Sequence, residues 1–106
     1  MKETPNLNYI KELSGGDDAF EKKILAVIKA EFPEEKKVYY KNLKANEYKL
    51  VSENVHKLKH KISILGLEKS YDLAVDYENN LRENDSTLKN EFESILQNIT
   101  QFLNQL

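Results

Sequence analysis

Two histidines, His56 and His60, stand four residues apart in the stretch ENVHKLKHKISILG, Glu53 to Gly66, with Lys57, Lys59 and Lys61 among them and Lys49 upstream. On a helix that spacing puts the imidazoles one turn apart on one face. Such a pair can share a metal ion, with Glu53 the nearest third ligand, although the lysines oppose a cation electrostatically. The lysines also make a basic segment of the kind that nucleic acid attracts. That reading is limited by a net charge of −2 and by Arg82 being the chain's arginine, an unusual endowment for a base-reading surface. Against both stands the plain alternative of two surface histidines on a lysine-rich outer face.

The helix that must carry them is the cleanest in the chain. Tyr48, Val51, Val55, Leu58, Ile62 and Leu65 repeat at alternating three- and four-residue intervals. Asn46 suits the cap before it, and Gly66 the left-handed turn that closes it. At about 100° per residue, His56 falls roughly 130° from the centre of the apolar stripe and His60 further still. Lys59 lies on the flank of His56, nearer the interior, and Ile64 ends the outward row. An exposed isoleucine there is weak support for a docking surface.

Around this helix the sequence predicts others. Leu7, Tyr9, Ile10 and Leu13 suggest a short N-terminal helix ended by Gly15 and Gly16, with Asp17 capping the next. Phe20, Ile24, Val27, Ile28 and Phe32 mark one buried face up to Pro33. After it, Val38, Tyr40 and Leu43 point inward on a second helix or on a kinked continuation. Leu67, Tyr71, Ala74, Tyr77 and Leu81 come next, then Asp85 or Ser86 as a cap, then Leu88, Phe92, Ile95, Ile99, Phe102 and Leu106. Short connections favour antiparallel neighbours. The expected fold is all-α: an antiparallel four-helix bundle with a short N-terminal helix, one domain over residues 1–106.

Composition agrees. With 106 residues, 3 glycines and 2 prolines the chain suits one helical domain with a single core. No cysteine is present, which removes disulfides, zinc thiolates and thiol nucleophiles and fits a reducing compartment. No apolar run approaches the roughly 18 residues of a membrane span, and the start MKETPNLNY lacks a signal core, so the expectation is a cytoplasmic protein.

HKLKHKISILGL resembles the histidine phosphotransfer (HPt) domain motif, in which the phosphorylated histidine begins H-x-L-K-G and a Leu-Gly pair comes after it. His56, Leu58, Lys59, Leu65 and Gly66 match in register. LSGGDDAF, ANEYKLVSENVH and DYENNLRE are similar to the family's early helix entry, its lead-in and the end of its next helix. His60 departs from the pattern, standing where the family usually has glycine.

The resemblance implies a phosphorelay intermediate: a phosphocarrier without autonomous kinase activity that accepts a phosphoryl group on His56 from a receiver aspartate and passes it to another receiver. The partners implied are receiver domains of a hybrid sensor kinase and a response regulator, with neither nucleic acid nor membrane, and a monomer is the simplest state. No intrinsic cofactor is expected, since the receiver brings Mg²⁺. A neutral exposed imidazole needs no buried base, so His56 is expected to be free of internal partners. Lys59 is placed to offset phosphoryl charge, His60 to shape the site, and Lys57, Ser63 and Ile64 to meet the partner. Glu78 matches an acidic family position, with a solvated surface role equally good. The alternative is an HPt-like binding-only adaptor that docks a kinase or receiver without carrying phosphate.

Overall fold

A computed structural model describes residues 3–106. All regular structure among them is helical: α1 (Asn8–Ser14), α2 (Asp18–Lys44), α3 (Tyr48–Ile64), α4 (Glu68–Arg82) and α5 (Lys89–Asn104). No described helix is long and apolar enough to cross a membrane.

Local chemistry sets most of the boundaries. Gly15, left-handed at φ 58°, ends α1, and Asp17 Oδ1 accepts the Phe20 N–H to start α2. Gly66 closes α3 at φ 77°, as expected. Asn46 serves differently from the expected cap of α3. It takes φ 57° and donates its N–H to Leu43 O, so it ends α2, and Glu47 opens α3 without a side-chain cap. Asparagine tolerates the left-handed conformation that such a stop requires. Likewise neither Asp85 nor Ser86 caps α5: the Asp85 carboxylate accepts from the N–H and hydroxyl of Thr87, and Leu88 holds the cap position without a side-chain cap bond.

Pro33 lies inside α2 rather than starting a new helix. It is exposed, and so is Lys29, the residue whose carbonyl loses its helical donor to the proline. An unbroken helix carries its phase across the proline. Ile28, Phe32, Tyr39 and the partly buried Leu43 fall on one face, which leaves the expected inward residues Val38 and Tyr40 on the flanks and exposed. Phe20 and Val27 are also exposed, a second departure from the expected stripe.

At α1 Ile10 is buried and Leu7 partly so, whereas Tyr9 and Leu13 are exposed; the stripes of α3, α4 and α5 are largely buried. Val51, Val55, Leu58, Ile62 and Leu65 meet Leu67, Ala74, Tyr77 and Leu81 across the α3–α4 pair. On α5 the buried set is Phe92, Leu96, Ile99 and Leu103, with Ile95 and Phe102 beside it and Leu106 exposed. Neighbours run in opposite directions: Asn42 bonds Asn54 and Glu31 meets Lys61 across α2 and α3, while Lys36 bonds Thr100 and Lys29 reaches Leu106 O across α2 and α5.

The N-terminal strap ties α4 to α5 and to the end of α3. Glu3 accepts the backbone N–H groups of Lys69 and Ser70, Asn98 donates to Glu3 O, and the Asn6 N–H donates to Leu65 O. Within the core the Tyr39 and Tyr77 hydroxyls meet at 2.8 Å, and Tyr39 bonds Glu93 at 3.3 Å, tying α2, α4 and α5. A carboxylate only accepts, so Tyr39 donates to Glu93 and Tyr77 donates to Tyr39.

Candidate functional site

The apolar stripe of α3 faces inward, and the geometry of the helix then turns His56 and His60 outward. The His56 side chain is 53% exposed. It is not free of internal partners, as the sequence suggested. Its Nδ1 lies 3.1 Å from Oε2 of Glu78 on α4.

Glu78 is buried, which removes the solvated surface role. Three side chains surround its carboxylate. Besides His56, Arg82, one turn on, donates to Oε2 at 2.7 Å, and Lys59 Nζ lies 3.0 Å from Oε1 as an ion pair without hydrogen-bond alignment. Burial raises the Glu78 pKa, but the adjacent Lys59 ammonium and then His56 outweigh it and hold the carboxyl below the usual glutamate range. An ionised carboxylate accepts only, so the proton of a neutral His56 sits on Nδ1 and donates to Glu78. Nε2 then carries the lone pair, on the ring's open side.

The lysines are divided. Lys59 is turned inward, with 12% of its side chain exposed, between Glu78 and the ring face of Tyr71. Lys61 reaches Glu31 at 2.8 Å and Glu35 at 3.3 Å on α2. Burial lowers the Lys61 pKa, but the two carboxylates raise it further, so the ammonium is held charged. Lys57 is exposed beside His56. The four lysines therefore do not form one basic surface, which weakens the nucleic-acid reading.

The remaining candidates separate. His60 is exposed, its ring edge-on to that of His56 with centroids 5.1 Å apart. Ser63 is exposed on the α4 side, lining a shallow depression with Tyr71 and Asp72. Ile64 is half-buried against the core and not an outward residue of the histidine row. Among the described residues no three His, Cys, Asp or Glu side chains are grouped to hold a metal ion.

Sequence reasoning missed the residues on the other side of His56. An open groove of about 580 Å³ is lined by Val38, Asn42 and Leu50 together with His56, Lys57 and Arg82. Val38 and Leu50 are large apolar residues left exposed there. The signal lay in the phase of α2: counted from Phe32 without restarting at Pro33, Val38 falls off the buried face.

Chemically, the site offers two exposed imidazoles on one helix, one of them backed by a buried carboxylate, and cations neutralising that carboxylate. Compared with known proteins, the chain matches no protein-family model, no curated protein and no solved structure.

Proposed function

We propose that this chain is a cytoplasmic histidine phosphotransfer protein, built as an antiparallel four-helix bundle with a short N-terminal helix. It takes a phosphoryl group on His56 from the receiver domain of a hybrid sensor kinase and hands it to the receiver of a response regulator. The observation that carries this reading is the bond from His56 Nδ1 to buried Glu78, which leaves Nε2 open on an exposed face.

The step balances without a general base. The Nε2 lone pair attacks the phosphorus of an aspartyl phosphate, the N–P bond forms, the acyl P–O bond breaks and the aspartate carboxylate leaves. No proton has to depart from Nε2, because it carries none. The ring becomes cationic, and Glu78 at 3.1 Å offsets that charge. Transfer to the second receiver reverses these events. Alignment and charge stabilisation supply most of the catalysis of phosphoryl transfer, and the receiver brings Mg²⁺ and its acidic pocket. Exposed Val38 and Leu50 beside His56 give a partner an apolar footing, with Lys57 on its rim.

Incubation with a ³²P-labelled receiver tests the reading. The label is expected on the wild-type chain and on His60→Gln, and absent from His56→Gln. Label that survives His56→Gln and vanishes with His60→Gln reverses the assignment.

A binding-only adaptor is the second reading, favoured by the crowding of His56 by the His60 ring. It predicts receiver binding that is unchanged in His56→Gln, with no label on either protein.

A further inference from the structure

A phosphoryl group on His56 Nε2 brings two negative charges to the open side of the ring. Two of the basic side chains around it are already engaged. Lys59 is paired with Glu78 at 3.0 Å and mostly buried. Arg82 donates 2.7 Å to the same carboxylate and 3.2 Å to Asn79. Lys57, the next residue along, is turned about 100° around the helix. His60 is one turn on, exposed, and already within ring contact of His56 at 5.1 Å between centroids.

We infer that His60 is a proton-dependent phosphoryl-holding residue: its imidazolium donates a charge-assisted hydrogen bond to the phosphoryl oxygens on His56, and the neutral ring holds them more weakly. This rests on His56 being the phosphorylated residue and adds what controls the lifetime of its phosphoryl group. Exposed opposite the buried stripe, His60 has His56 and Lys57 within one turn on its own helix and Glu53 two turns back. From α4, Glu78 and Arg82 lie behind His56 and are bonded to each other, and the α2 acids Glu31 and Glu35 are taken up by Lys61. Histidine is the side chain type whose charge changes near neutral pH, where a lysine's is constant.

The test uses phosphoramidate, which phosphorylates imidazole directly with loss of ammonia and without any receiver. The full chain and its His60→Gln and His60→Arg variants are loaded, the phosphorylated nitrogen is assigned by ³¹P NMR against His56→Gln, and hydrolysis is timed. Near pH 6 the wild-type phosphohistidine is expected to outlive that of His60→Gln by roughly fivefold, with the ratio approaching one near pH 8. His60→Arg, cationic throughout, should keep the longer lifetime at both. A ratio independent of pH, a ratio of one throughout, or phosphate on His60 in the wild type overturns the inference. Failure of the phosphotransfer reading shows separately, as absence of label from a phosphorylated receiver.

Discussion

Glu78 Oε2 lies 3.1 Å from Nδ1 of His56, so an exposed imidazole is oriented by a carboxylate that is itself buried. The carboxylate is held ionised by the Lys59 ammonium first and by His56 after it, while Arg82 bonds its Oε2. Orientation of the ring and the identity of its open nitrogen thus depend on a second helix.

Glu78→Gln should therefore slow phosphorylation of His56 by about tenfold while leaving receiver binding intact, because the amide keeps the shape and loses the charge that offsets the cationic ring. Stability should fall by about 1–3 kcal/mol at neutral pH, since Lys59 is left poorly paired. The folded-state pKa of Glu78 is depressed, so its contribution is present above the unfolded value of about 4.3 and is lost as pH falls through the lower folded value. Urea denaturation of both proteins across acid pH should show their difference shrinking in that window.

The tyrosine pair makes an alkaline prediction. Burial pushes the Tyr77 hydroxyl up to about 12 and Tyr39 higher, with its bond to Tyr77 and the Glu93 charge adding to the latter. Because these folded values are raised, stability should hold below the unfolded tyrosine value of about 10 and fall as pH rises beyond it. Tyr77→Phe should cost about 1 kcal/mol, and Tyr39→Phe about 2 kcal/mol, since it removes both the acceptor of the Tyr77 hydroxyl and a donor to Glu93. Thermal melts read by circular dichroism check both.

Gly66→Ala should destabilise by about 1–2 kcal/mol. A Cβ would stand 2.6 Å from the Asn6 side chain, and φ is +77°. Asn6→Ala in the same chain relieves the clash and not the backbone strain, so the double variant should recover part of the loss in urea denaturation.

Glu3→Ala should cost about 1 kcal/mol and increase amide exchange in the first turn of α4. That turn has no side-chain cap of its own, and Glu3 supplies two acceptor oxygens to Lys69 and Ser70. Burial raises the Glu3 pKa, but those hydrogen bonds bring it below the ordinary value. Its contribution should likewise be lost as pH falls through the depressed folded value.

Legibility differs from helix to helix. The α3 stripe from Val51 to Leu65 is plain in the sequence because its periodicity is unbroken and every member reaches the core. Outward placement of His56 and His60 comes from the same angles. On α2 the sequence misleads at Pro33, where a residue that usually starts a helix sits inside one; restarting the count there puts Val38 and Tyr40 inward, whereas the residue between them, Tyr39, is buried. Leu96 and Leu103 escape a reading by spacing because α5 carries apolar residues on adjacent positions, and periodicity alone does not rank them.

By itself the sequence determined an all-helical chain, its helix ends within a few residues except at Pro33, and the row of imidazoles on the outside of α3, because these depend on spacings within one helix. Only the tertiary structure decided that Glu78 is buried against His56, that Lys59 and Lys61 are consumed by internal ion pairs, and that Glu3 closes α4 from the far end of the chain. Those are contacts between helices, set by how their faces rotate and settle against one another, and no repeat along a single segment encodes that rotation.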